Sequence, residues 1–331
     1  MDAGLASGLQ GGALVTVFGG SGFVGRHVVR ELARQGFRVR SATRRPDLAG
    51  HLQPMGTVGQ IQPVQANLRY PASVAAALHG ADVVVNLVGL LVKSGRQTFD
   101  AVHVEGARAI ARAARQAGVA RLIHVSAIGA DAKSRGNYGR TKAAGEAAVL
   151  EEYPGTVILR PSIVFGPEDQ FFNRFADMAR KAPLLPLIGG GRTRFQPVYA
   201  GDVALAIAAA TQGKARAGTV YELGGPEVAT FRKLLDRTQE MAGRNRGYLR
   251  LPFWAAKLGA LLTVPLPNTL RPLTVDQVSM LQSDNVVSEA ARKDGRTLQG
   301  LGILSPHAID TIVPVYLEQY RAKGQYSHYR G

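Results

Sequence analysis

Residues 15–25 read Val-Thr-Val-Phe-Gly-Gly-Ser-Gly-Phe-Val-Gly, and further along the chain Tyr138 is followed four residues later by Lys142. The first segment is a short apolar run that enters a glycine turn and then a helix. In such a turn Gly19 permits the tight bend, Gly22 lets the backbone approach a pyrophosphate, and Gly25 lets the helix pack on the strand. The N-terminus of the helix then offers N–H groups and a positive dipole end to phosphate oxygens. Glycines also mark ordinary turns, so the context decides: this loop follows a strand and opens a helix that Gly36 ends. The spacing predicts nucleotide binding, with Ser21, Phe23 and Val24 joining the three glycines around the phosphates.

Two further positions refine that ligand. The second strand ends Ser41-Ala42-Thr43-Arg44-Arg45-Pro46. A carboxylate here binds the adenosine ribose 2′-hydroxyl of NAD, whereas an arginine accommodates the 2′-phosphate of NADP. With Arg44 and Arg45 in that place, the expected ligand is NADPH, because guanidinium groups grip phosphate with charge-assisted bonds. Tyr138 and Lys142, spaced i and i+4, share one helix face. A tyrosine beside a lysine can donate a proton in a reductase, since the ammonium lowers the phenol pKa. The lysine can equally hold the nicotinamide ribose without any catalysis.

These residues need a scaffold, and the hydrophobic pattern supplies one. Short Val-rich strands are expected near 14–18, 37–43, 61–66, 82–88, 121–126 and 156–160, with helices near 24–35, 71–79, 99–117 and 139–152. Apolar runs bounded by Gly or Pro are typical of buried parallel strands. Alternating βα units imply an α/β fold, a Rossmann-type doubly wound parallel sheet. The second half is less regular: helices near 171–181, after Asp202 and at 230–242, a strand near 219–223, and a mostly helical, Pro-broken end. The expected organisation is a flexible lead-in over 1–12 and a dinucleotide-binding domain over 13–165, to which about 195–225 returns. A smaller, discontinuous C-terminal lobe then takes 166–331.

Composition bounds the rest. The 331 residues include no cysteine, which excludes disulfides, thiolate metal sites and Fe–S clusters; seven histidines show no metal-binding spacing, so no metal is expected. Forty basic residues against 24 acidic ones give a net charge of +16. The arginines are spread along helices with no nucleic-acid-binding signature, so the basic surface suits solvent, an anionic membrane or a docking partner rather than nucleic acid. The N-terminus has no signal-peptide pattern, and Leu251 to Leu266 is too short and interrupted to span a bilayer. Trp254 and Lys257 in that stretch suit a membrane interface or a partner groove, or else the helix packs on the chain's own core. Tyr316, Tyr320, Tyr326 and Tyr329, with Arg321, Lys323 and Arg330, form an aromatic, basic tail that could dock on a partner or fray.

Taken together, the motifs resemble those of the short-chain dehydrogenase/reductase superfamily, of the extended or atypical kind. Gly19, Gly22 and Gly25 match its cofactor loop, Asn86-Leu87-Val88-Gly89 its fourth-strand turn, and Tyr138 with Lys142 its active pair. Arg160 to Pro167 and Phe195 to Ala204 resemble the later motifs of extended members. The resemblance implies that Asn67 and Leu68 contact the adenine, that Leu87, Val88 and Gly89 flank adenosine and ribose, and that Pro161 and Ile163 line the nicotinamide pocket. Three positions depart from the pattern. The hydroxyl that orients substrate after the fifth strand falls on Ala127, with Ser126 one residue early; His103 replaces an asparagine; and Asn67 replaces an aspartate.

With the cofactor grip intact and the catalytic set incomplete, the chain is similar in particular to the NADPH-binding accessory subunits of respiratory complex I. That resemblance implies a nucleotide held as a structural ligand without turnover and contact with core subunits near the quinone region. It also implies a place peripheral to the inner membrane, on the cytoplasmic side in a bacterium or the matrix side in a mitochondrion. An active NADPH-dependent reductase or epimerase, using Tyr138 and Ser126, and a sensor of the NADPH ratio remain as alternatives.

Overall fold

A computed structural model describes residues 12–93, 95–263 and 273–321. The lead-in expected over 1–12 lies outside them except for Gly12, as do Lys323, Tyr326, Tyr329 and Arg330 of the tail. The chain divides into two compact units. The first takes 1–161, 200–223 and 288–304, and the second 162–199, 224–287 and 305–331.

The first unit is built on seven parallel strands: β1 (Leu14–Phe18), β2 (Arg38–Thr43), β3 (Ile61–Gln65), β4 (Val83–Asn86), β5 (Arg121–Val125), β6 (Val157–Pro161) and β7 (Val220–Leu223). Their order across the sheet is β7-β6-β5-β4-β1-β2-β3, so the direction of winding reverses between β1 and β4. Val83, Val84 and Val85 in succession are wholly buried, as are Val15, Val17 and Ile123. Both faces of the sheet are therefore covered, which is why these strands read as continuous apolar runs rather than alternating ones. The helices α1 (Phe23–Arg34), α2 (Pro71–Leu78), α3 (Ala107–Gln116), α4 (Asn137–Glu152) and α5 (Ala200–Thr211) supply the cover. α1 packs on α5, while α3 lies between α2 and α4.

One expected helix differs in form. The stretch 99–117 is not a uniform α-helix: Asp100–Gly106 is a π-helical segment that runs into α3. π segments tend to occur at functional sites, where a wider turn re-aims side chains. Close packing accompanies it, for a Cβ on Gly145 of α4 would lie 2.0 Å from the His103 carbonyl oxygen. The first unit also takes in 288–304, a segment the sequence pattern left in the C-terminal lobe. Its Arg296 donates to the Val220 carbonyl of β7, and the Ser288 N–H donates to Glu222.

The second unit has its own core. Phe165, Phe172, Phe175, Phe195 and Phe231 are buried together, with Phe171 stacked edge-on among them. Helices Phe172–Lys181, Phe231–Met241 and Ile309–Leu317 surround this cluster. Ahead of the Pro-broken end, Gly247–Leu251 is a strand that the sequence pattern does not mark, paired in parallel with Leu184–Ile188. Tyr316 and Tyr320 do not fray. The Tyr316 hydroxyl donates to Asp169, and that of Tyr320 to Asn173 at 3.1 Å. Among the described residues, no helix is long and apolar enough to cross a membrane.

Candidate functional site

The glycine loop lies at the end of β1, beside the point where the sheet reverses. Gly19 has φ +82°, a conformation that L side chains rarely adopt, and its N–H donates to the Ala42 carbonyl at the end of β2. Gly22 follows as the N-cap of α1, which has no side-chain cap and no acidic residue in its first turn. The dipole end of α1 thus opens beside the loop with no carboxylate to neutralise it. The two later glycines have different neighbours. A Cβ on Gly22 would meet only the Gly19 carbonyl oxygen, at 3.3 Å, whereas one on Gly25 would fall 2.2 Å from that oxygen and 2.7 Å from the Gly20 backbone.

A cavity of about 300 Å³ opens at this loop. Gly19, Ser21, Gly22, Arg44, Asn67, Leu68, Leu87, Val88 and Gly89 all line it. Among the described residues, three arginines, Arg44, Arg69 and Arg96, face it, and no aspartate or glutamate does. Arg45 behaves differently from its neighbour. It lies outside the lining and pairs with Asp47 at 2.9 Å in solvent. Phe23, Val24 and Gly25 begin α1 behind the rim. Asn67 holds its own loop by accepting from the Arg69 N–H at 3.2 Å, and Leu68 packs against the first unit's core.

Asn86, at the end of β4, shapes the turn that carries Leu87, Val88 and Gly89. Its carbonyl oxygen accepts from the Val88 N–H at 3.0 Å, and its amide donates to Nδ1 of the buried His124 at 3.1 Å. Next in the turn, the Leu90 N–H donates to Nε2 of His103 at 3.0 Å. The His103 proton therefore sits on Nδ1 and is donated to Thr141 Oγ1, 3.0 Å away, which in turn donates to the Asn137 carbonyl. His103 thereby ties a cavity-lining turn to α4, the helix of Tyr138 and Lys142. Burial, with Lys142 nearby, drives its pKa down to about 3, so the ring stays neutral.

Tyr138 is half-buried, with its ring edge-on to His103 at 5.4 Å and to Phe99 at 6.0 Å. Burial pushes its phenol up to about 12, opposite to the lowering expected from a neighbouring lysine. The Lys142 ammonium donates to the Val125 carbonyl at 2.9 Å, at the end of β5. Burial also pushes Lys142 down from 10.5 to about 8, against the opposing effect of Glu146. Between these two values the unfolded chain binds more protons than the folded one, so this group makes stability rise with pH from about 8 to 10.5. Below that window the cost of the buried charge is fully present. In Lys142→Met the rise should vanish. Urea unfolding across the window should show wild type gaining about 3 kcal/mol on the variant, and parallel pH profiles would contradict the assignment.

Beyond β5, Ser126 is buried, its N–H donates to the Leu159 carbonyl at 2.7 Å, and its hydroxyl has no hydrogen-bond partner among the described residues. Ala127 follows it, half-buried. Pro161 ends β6, buried, with its carbonyl accepting from Ile128 N–H at 2.9 Å. Ile163 belongs to the second unit and packs on that unit's aromatic core. Ser126, Tyr138, Lys142, Pro161 and Ile163 all lie outside the lining of the glycine-loop cavity.

The sequence from β1 to the end of β7 matches a single family model over residues 15–224, that of the NAD dependent epimerase/dehydratase family. The chain belongs to this family. A nicotinamide nucleotide is accordingly the cofactor class of this epimerase/dehydratase member. The chain is 37% identical over 324 residues to the mitochondrial NADH dehydrogenase (ubiquinone) 1 alpha subcomplex subunit 9 of Arabidopsis thaliana, covering 95% of this chain and 79% of that protein. It is 30% identical over 321 residues to the mitochondrial NADH-ubiquinone oxidoreductase 40 kDa subunit of Neurospora crassa, covering 96% and 82%. In fold it resembles the NADPH-dependent quinone oxidoreductase of Escherichia coli solved with NADPH, with a TM-score of 0.71 at 20% identity over 92% of this chain and 99% of that one.

Sequence reasoning missed Arg69, Arg96 and Gln97 in the lining of this family member's cavity. None belongs to a motif: each sits in an irregular loop that only the folded chain brings to the glycine turn. His103 was visible as a departure from the extended pattern, but its two hydrogen bonds were not, because they depend on the π segment.

Proposed function

We propose that this chain is an accessory subunit of respiratory complex I that holds NADPH as a structural ligand. The observation that carries the proposal is the cavity's charge: among the described residues, three arginines and an uncapped helix start, with no carboxylate. That environment suits the pyrophosphate and the 2′-phosphate of NADPH together. Arg44 is the principal contact to the 2′-phosphate, with Arg69 and Arg96 adding charge at the rim. Gly19, Ser21 and Gly22 admit the pyrophosphate. Asn67, Leu68, Leu87, Val88 and Gly89 flank the adenosine half. Tyr138 and Lys142 hold the nicotinamide ribose, and Pro161 bounds the nicotinamide.

Absence of turnover is supported by Ala127 at the hydroxyl position; burial also raises the Tyr138 phenol to about 12, which makes it a weaker proton donor. Ligand bound only to the folded chain stabilises it by mass action. The subunit role is supported by similarity over 95% and 96% of this chain to the plant and fungal complex I proteins. On this reading, which we propose in the same terms, the chain sits against the core subunits near the quinone region, peripheral to the membrane, on the cytoplasmic side in a bacterium.

A tagged copy recovered from gently solubilised membranes should carry complex I core subunits and near-stoichiometric NADPH. The nucleotide should survive in Tyr138→Phe, since binding rather than proton transfer retains it. Recovery as a lone protein would overturn the subunit role. It would favour an NADPH-dependent reductase that uses the Tyr138–Lys142 pair, which turnover lost in Tyr138→Phe would establish.

A further inference from the structure

The second unit exposes an apolar helix face that the nucleotide site does not use. In the helix Phe253–Leu262, Ala256 and Ala260 are buried against Ile188 and Val278. The other side carries Trp254, Leu258, Leu261 and Leu262, which are 71%, 51%, 59% and 72% exposed. Their spacing of i, i+4, i+7 and i+8 gathers them into one stripe. The strand Gly247–Leu251, which leads directly into the helix, adds exposed Leu249 and Arg250. Scattered exposed leucines are ordinary, but a stripe with an indole at its start is not.

Charge indicates what covers it. From Met241 to Val275 the sequence contains no aspartate or glutamate and five basic residues, Arg244, Arg246, Arg250, Lys257 and Arg271. The described cations among them keep their charge uncompensated. Arg244 and Arg246 donate to the backbone carbonyls of Tyr320 and Ala179, and Lys257 donates to the neutral amide of Gln282. Acids flank this interval in sequence, Glu240 just before it and Asp276 at the start of the next helix, and Tyr248 of the strand donates to Asp236. A leucine and tryptophan stripe on a basic segment without a carboxylate of its own is the composition of a helix lying in an anionic lipid interface. We infer that the Trp254–Leu262 face seats this protein on an anionic bilayer surface. The inference gives the peripheral location proposed above its contact surface, yet it is a property of the chain alone, tested without complex I.

Trp254 is the sole tryptophan, so its fluorescence reports on this face directly. Added to the full chain, phosphatidylglycerol vesicles should shift its emission to the blue and carry the protein upward in a flotation gradient. Phosphatidylcholine vesicles should do neither. Raising the salt to about 1 M should weaken binding roughly tenfold. In flotation, Trp254→Ser with Leu258→Ser, and separately Arg250→Glu with Lys257→Glu, should each lose roughly tenfold or more in affinity. Their melting temperatures should stay near wild type, because these side chains face outward. Absence of flotation, equal binding to both lipids, or binding unaltered in both variants would overturn the inference. If vesicles fail to bind while the variants lose complex I subunits on purification, the face is a protein interface and the lipid assignment is wrong, although the subunit role stands.

Discussion

Arg44→Ala should bind NADPH about tenfold to a hundredfold more weakly than wild type while leaving NADH affinity nearly unchanged. The size follows from losing a charge-assisted contact to phosphate, worth roughly 1.5–3 kcal/mol. NADH lacks the 2′-phosphate and so does not register the loss. Arg45→Ala makes the informative comparison. Two adjacent arginines look equivalent in the sequence, yet Arg44 lines the cavity while Arg45 is engaged by Asp47. An exposed ion pair of that kind is worth little, and removing it should change NADPH affinity by no more than about a factor of two. Titration of the purified protein with each nucleotide separates the cases. Equal losses in the two variants would mean that Arg45 leaves Asp47 for the ligand; no loss in either would mean that Arg69 and Arg96 carry the 2′-phosphate.

The contrast between these neighbours shows where sequence is informative. The glycine loop was legible because each glycine answers a local backbone demand: a positive φ at Gly19 and contact with the preceding loop at Gly25. The parallel sheet was legible because strands buried on both faces leave unbroken apolar runs, as in Val83, Val84 and Val85. What escaped depends on contacts distant in sequence. The diversion of Arg45 needs the geometry of the turn at Asp47. Arg69 and Arg96 reach the cavity from loops without a motif. The strand Gly247–Leu251 needs Leu184–Ile188, which no local pattern links to it. Tyr316 looked like part of an aromatic tail until Asp169, far upstream, took its hydroxyl. The lowered phenol pKa expected for Tyr138 failed for a related reason. Proximity on one helix face was evident, but the Lys142 ammonium is directed to the Val125 carbonyl, and burial, which sequence does not quantify, dominates the phenol.

The glycine loop also supports a prediction in which two outwardly similar substitutions fail in different ways. Gly25→Ala should destabilise the fold by on the order of 3 kcal/mol and lower its melting temperature, with or without nucleotide. Its added methyl would lie 2.2 Å from the Gly19 carbonyl oxygen and 2.7 Å from the Gly20 backbone, so the loop and α1 must move apart. No flexible side-chain end is there to give way. Gly22→Ala should leave the stability of the nucleotide-free chain within about 1 kcal/mol of wild type, since φ −77° suits any L residue and the near neighbour is 3.3 Å away. Its methyl instead stands in the cavity lining where the pyrophosphate approaches the backbone. Nucleotide affinity should then fall about tenfold or more, at the cost of one or more hydrogen bonds to phosphate. Thermal unfolding with and without NADPH measures both effects at once. The division of labour holds if Gly25→Ala melts early in both conditions and Gly22→Ala loses only the upward shift that NADPH gives wild type. A Gly25→Ala protein that melts like wild type would show that α1 can retreat from the loop, and the close helix–strand packing would then not be what requires glycine there.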